Sequence, residues 1–202
     1  GRPRRASTGV TIRDGVTTGV VAFAVAMCLS LPLRGAVSRF PASVAVPLTL
    51  FIVCVGVLFD AIGIAAASAD EAAFHAMAAK RIAGARQAIL VVRNAGRVMT
   101  LCNDIVGDLA GTLGGATAAA AAYGMPAWGR WDPSIAGAAA VALVAGLTIG
   151  GKAAAKGVAI NRSLEITRLT GYCLYLWEKA TGIRVFRDGK GVSARARRRK
   201  RT

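Results

Sequence analysis

Long uncharged runs alternate along the chain with short, charge-dense links. Four runs, at about 15–33, 42–68, 102–126 and 133–156, are long enough to span a bilayer, whose hydrocarbon core takes about 20 apolar residues as helix. The second is interrupted by Asp60. The third opens on the polar stretch "TLCNDIVGDLAG" (Thr100–Gly111), and the fourth is uncharged from Pro133 to Gly151. Between the second and third runs, residues 70–99 carry Phe74, Met77, Ile82, Ala85, Ile89, Val92 and Met99 near a 3.6-residue period, with Arg86, Arg93 and Arg97 on another face. That pattern predicts an amphipathic helix lying along a membrane surface. Residues 161–180 predict a second such helix, residues 1–14 a basic cytosolic tail, and residues 182–202, ending in "RARRRKRT", a basic disordered tail. The fold class expected is all-α: a multi-pass membrane protein with four transmembrane helices and cytosolic interfacial helices.

Composition strengthens this reading. Of 202 residues, 54% are hydrophobic and only 18% charged, whereas soluble domains carry about 25% charged residues. The mean hydropathy is +0.50. The first run could imitate a signal peptide, but it is long and no small-residue cleavage site follows it, so it reads as a retained helix.

The net charge of +16 then sets topology. Arg2, Arg4, Arg5 and Arg13 precede the first run, Lys80, Arg81, Arg86, Arg93 and Arg97 lie between the second and third, and the C-terminal part is strongly basic. The other two links are charge-poor. Because Lys and Arg collect in cytoplasmic loops, both termini are expected in the cytosol of a bacterial cell, with anionic lipid as the partner of the basic inner face. Trp128 and Trp131 suit the outer interface, and Tyr172, Tyr175 and Trp177 the inner one. Contact of the basic tail with RNA is the weaker alternative, and no nucleic-acid partner is expected.

The chemistry-bearing residues are few. Cys28, Cys54, Cys102 and Cys173 are scattered, so neither a disulfide framework nor a zinc site is indicated. Gly107, Gly111 and Gly115 in the third run, and Ala142, Gly146 and Gly150 in the fourth, repeat every four residues, a spacing that lets membrane helices approach closely. Charges at membrane depth are costly and face a bundle interior or a wet cavity. Asp60 is one. Asp104 and Asp108 lie a helical turn apart, and Asn103 precedes Gly107 by the same spacing. Carboxylate and amide oxygens suit Mg²⁺, Co²⁺ or another divalent cation. The competing reading makes Asp104 and Asp108 helix-capping groups, or pairs Asp104 with Arg97 or Lys152. His75, the one histidine, follows Glu71 by four residues, a possible metal spacing that reads better as an ordinary, partly exposed pair. No G-x-S-x-G, phosphate loop or Cys/His pair is present, so no enzyme is expected.

The order of parts, with the runs "FDAIG", "SADEAAFHAMAAKRIAGARQAI" and "CNDIVGD", resembles the transmembrane domain of the CorB/CorC and CNNM family of Mg²⁺/Co²⁺ transporters. It is nearest to short bacterial proteins of the CorB type. The resemblance covers about 44–166. It implies a three-helix core with a cytosolic juxtamembrane helix, one extra N-terminal span, a homodimer and a partly hydrated Mg²⁺ held between core helices. "CNDIVGD" stands where the family has G-N-N, with Asn103 matching the first Asn and Asp104 replacing the second. "IGGKAAAK" (Ile149–Lys156) resembles the G-E-x-x-P-K stretch through Gly150 and Lys156, without its Glu and Pro. Asp60 falls near the Glu of the S-x-S-E motif; Ser68 and Glu71 are the second choice. The resemblance therefore implies metal ligation by Asp60, Asn103, Asp104, Asp108 and Gly150. The CBS-pair domains of the family have no counterpart in these residues. A membrane scaffold or regulator that keeps the fold without the ion pathway is the alternative function.

Overall fold

A computed structural model describes residues 15–17, 19–28, 41–123 and 132–182, and all regular structure among them is helical. A short apolar helix, α1, lies within Gly15–Cys28. Then follow α2 (Ala42–Ser68), α3 (Glu71–Ala79), α4 (Ala85–Arg93), α5 (Ala95–Met99), a π-helical segment (Thr100–Gly107), α6 (Asp108–Tyr123), α7 (Pro133–Asn161) and α8 (Ser163–Thr181). The tails at 1–14 and 183–202, the end of the first expected span, and Trp128 and Trp131 lie outside the described residues.

Three stretches are long and apolar enough to cross a membrane: Ser43–Ser68, Ala95–Ala122 and Ser134–Asn161, of 26, 28 and 28 residues. At 1.5 Å per residue each reaches about 40 Å, more than a hydrocarbon core of about 30 Å. α1 is shorter than these three. Their apolar side chains are largely left outward: only 22% of the apolar window in α7 is buried, and Leu143 and Ile149 are 67% and 69% exposed. An apolar surface of that kind suits lipid rather than water.

Contacts divide the chain into two compact units. The first takes the described parts of Gly1–Asp60 and Thr100–Ala155, and the second those of Ala61–Met99 and Lys156–Thr202. The first unit packs through small residues. Val53, Ala118 and Val144 form one buried cluster with Val57 and Ala140 against it, and Ala45 and Ala121 form another. At Gly56 a Cβ would stand 2.6 Å from the Cβ of Ala110, so α2 and α6 approach at a distance only glycine permits. The hydroxyls of Thr49 and Thr117, both buried, lie 2.8 Å apart and tie the same two helices. Of the two small-residue stripes, the α6 stripe meets α7: positions 111 and 115 look onto Thr148 and Val141 at 3.8 Å. The α7 stripe does not pack against the described residues, none of which lies within 4 Å of a Cβ at Gly146 or Gly150. α7 instead turns Val144, Thr148, Gly151 and Lys152 inward.

In the second unit the segment expected as one helix over 70–99 is three helices. Asp70 caps α3 by accepting the Ala72 N–H at 3.0 Å. Arg81 and Gly84 then take left-handed backbone, φ 56° and 82°, which ends one helix and redirects the chain into the next. The apolar period is used for burial: Phe74, fully enclosed, packs with Ala88 and Ile89, and Met77 and Val92 close the cluster. α8 lies across α4, with Gly171 and Thr167 buried on its inner face and Glu178 accepting the Gln87 side-chain N–H at 2.9 Å.

Candidate functional site

Asp60 sits on α2 and is 7% exposed, the one buried carboxylate among the described residues. A charge buried there must be answered, because an apolar interior offers it no solvation. Lys152 answers it. Its Nζ lies 4.0 Å from Asp60 Oδ1 and donates to Asp108 Oδ1 at 3.3 Å, so one ammonium on α7 bridges carboxylates on α2 and α6. Lys152 can reach them because Gly107 has no side chain: a Cβ at 107 would stand 3.2 Å from Nζ. Asp108 is largely exposed, so the centre opens to its surroundings on the α6 side. At 4 Å and an effective dielectric of 20 the Asp60–Lys152 attraction is about 4 kcal/mol, of the order needed to offset the cost of placing the charges there.

The opening of the third expected span is a π-helix, Thr100–Gly107. Its buried positions show the change of period. Cys102 and Gly107 are five residues apart, whereas Gly107, Ala110 and Gly114 follow at three and four. π segments inside α-helices are frequent at functional sites. This one carries Asn103, whose Oδ1 is enclosed and has no hydrogen-bond partner among the described residues. A buried acceptor left so costs about 1–3 kcal/mol, and it would be satisfied by a donor or a cation.

The structure thus brings together two of the expected ligands, Asp60 and Asp108, around a lysine. Asp104 is exposed and makes no ion pair among the described residues, so neither Arg97 nor Lys152 holds it. Gly150 is exposed with open space around it. Lys156, the lysine matched to the family's motif, is exposed as well; the lysine at the carboxylates is Lys152, one turn earlier. Among the described residues no group of three or more His, Cys, Asp or Glu side chains converges as a metal site. Sequence reasoning named Lys152 only as a partner for Asp104. The usable signal was its position as the first charge after a long apolar run.

The second choice, Ser68 and Glu71, falls elsewhere. Glu71 is committed to a surface network: it accepts from Arg93 Nε at 2.6 Å and from His75 at 2.9 Å. The His75 hydrogen bond first, and Arg93 with it, hold the Glu71 carboxyl below its ordinary value of 4.5. A lowered folded-state value means that this contribution is full above the unfolded value and is lost as pH falls through the folded one. Glu71→Gln should therefore melt slightly below the parent near neutrality. The difference should vanish well below the ordinary carboxylate value of 4.5, which thermal unfolding in detergent at the two acidities checks.

No protein-family model, curated protein or solved structure matches this chain.

Proposed function

We propose that the chain is an integral membrane protein that binds divalent cations, Mg²⁺ or Co²⁺, at Asp60 and Asp108 in place of the Lys152 ammonium and carries them across the bilayer. The observation that supports this most is Asp60, buried in a helix long enough to span and faced by a positive charge. Two carboxylates against one ammonium leave the centre net negative, and their hard oxygens suit a hydrated divalent ion. Asn103 offers an unsatisfied amide oxygen on the neighbouring π segment. The resemblance to the CorB/CorC and CNNM family, carried by "CNDIVGD" and "IGGKAAAK", points to the same cargo and to a homodimer, for which the outward Gly146 and Gly150 leave room. The Lys and Arg distribution supports an orientation with both termini in the cytosol, in a bacterial cytoplasmic membrane.

A second reading has its own support. The carboxylates already have a partner in Lys152, and no three-carboxylate group converges among the described residues. That is what a non-transporting scaffold, using the ion pair to hold three helices in register, would show.

Thermal unfolding in detergent with increasing Mg²⁺ separates them. If cations bind, saturation to 100 times Kd stabilises the parent by about 2.7 kcal/mol. Asp60→Asn should abolish the shift and Asn103→Ala weaken it. Equal shifts in all three chains, or none in the parent, leave the scaffold. Flux into proteoliposomes then distinguishes binding from transport.

A further inference from the structure

The outward face of α8 is apolar where a helix on a water-facing surface is polar. On its inner face Thr167 and Gly171 are buried, Gly171 against Gly84 and Ala88 at the start of α4. On the opposite side Leu169, Tyr172, Cys173 and Leu176 recur at three-, four- and seven-residue intervals, and Leu169 is 63% exposed. Trp177, at 58%, borders the stripe. Arg168 and Lys179, both exposed, flank it on the other side. The acidic residues of α8 are turned to other uses: Glu165 lies 3.7 Å from Arg162, and Glu178 accepts from Gln87. From Arg168 onward the outward face is an apolar, aromatic stripe with a positive border, and the exposed Glu165, one turn before Leu169 on the same side, is paired with Arg162 where the stripe begins. A helix of this kind lies in the interface plane, with its aromatics at headgroup depth and its cations on phosphates.

We infer that α8 docks on the bilayer surface, Leu169, Tyr172, Cys173 and Leu176 entering the acyl boundary while Arg168 and Lys179 bind anionic lipid headgroups. Charge argues against a second copy as the occupant. Two such faces would set Arg168 and Lys179 against like charges in a chain already at +16. The membrane required by the three long apolar helices is, in contrast, present wherever the protein is. The inference is independent of any cation at Asp60.

Cys173 is a built-in probe. With Cys28→Ser, Cys54→Ala and Cys102→Ala, a nitroxide on Cys173 can be read in full-length protein reconstituted into phosphatidylcholine vesicles, with and without phosphatidylglycerol. Leu169→Cys, Leu176→Cys and Arg168→Cys, each in the same background with Cys173→Ser added, complete a helical scan. Collision with oxygen should exceed collision with a water-soluble nickel chelate at 169, 173 and 176 and reverse at 168. Phosphatidylglycerol should deepen the first three, and Arg168→Gln with Lys179→Gln should cancel that deepening. Nickel access at every position overturns the inference. Loss of both oxygen and nickel access at 169, 173 and 176 overturns it too, because a protein surface such as a second copy would then cover the face. Should the cysteine-depleted chain not fold, brominated phosphatidylcholine applied to the parent and to Trp177→Phe gives the same answer. The Trp177 share of the emission should be strongly quenched, and its survival unquenched would refute the placement.

Discussion

Replacing Lys152 with methionine should destabilise the protein by about 3 kcal/mol, the usual cost of leaving one member of a buried ion pair without its partner. Methionine keeps the length and apolar stem of lysine, so packing along α7 is preserved and the lost quantity is the charge. Asp60, 7% exposed, then faces α7 with no ammonium. Asp60→Asn added to Lys152→Met should return most of the loss, because the buried charge is removed together with its need for a partner. With Asp60→Asn alone completing the cycle, the double variant measures the coupling. Asp108→Asn should cost no more than about 1 kcal/mol, since an exposed member of an ion pair contributes little. Unfolding in detergent, without added divalent ions, reads the parent and these four variants. A neutral Lys152→Met would mean that the lysine does not serve Asp60. The same variant discriminates between the two functional readings. If Lys152 competes with cations for the carboxylates, its removal should tighten Mg²⁺ binding on the order of tenfold or more, since a competitor worth only about 1.4 kcal/mol sets that factor. In a scaffold the variant loses stability and gains no affinity.

The partner of Asp60 shows where sequence reasoning stops. Asp60 could be chosen from the chain alone, because a lone carboxylate in a long apolar run carries an energetic cost whatever the fold. Which cation answers it depends on how α7 is rotated against α2, and no local period records that. The same limit separates Gly150 from Gly151. Both continue small-residue patterns, but neighbours on a helix point about 100° apart, and α7 is rotated so that Gly151 meets Val57 while Gly150 looks outward. The run 42–68 was legible nearly to the residue, being bounded by polar chain on both sides. The third span was not: its helix starts at Ala95 rather than 102, since Arg97 and Asn103 masked the continuity through α5 and the π segment. The apolar period over 70–99 correctly marked Phe74 and Ile89 as one face. The division of that stretch rests on left-handed backbone at Arg81 and Gly84, and only the glycine announces itself.

Gly171→Ala, a change of one methyl group, should unfold the packing of α4 on α8 at a cost of about 3 kcal/mol, the upper part of the range for overpacked sites. The reason is the nature of the neighbours. A Cβ at 171 would stand 2.7 Å from the Ala88 nitrogen and 2.7 Å from the Gly84 carbonyl oxygen. Those atoms are backbone, and they are bonded to each other: the Ala88 N–H donates to Gly84 O at 2.9 Å in the first turn of α4. No rotamer can move aside, so either the helices separate or the first turn of α4 opens. Gly84→Ala should cost a similar amount by two routes. Its φ of 82° is left-handed, worth about 1–2 kcal/mol against a residue with a side chain, and its Cβ would stand 2.6 Å from the Tyr172 Cα. Gly157→Ala on α7 is the control. Nothing lies within 4 Å of a Cβ there, so removing a glycine from a helix interior should stabilise by about 0.5–1 kcal/mol. Hydrogen exchange locates the effect: amides of α4 and α8 should lose protection in the first two variants and keep it in the third. If Gly171→Ala behaves like Gly157→Ala, the two helices do not cross at van der Waals contact of their backbones, and the outward apolar stripe of α8 loses the inner face that orients it.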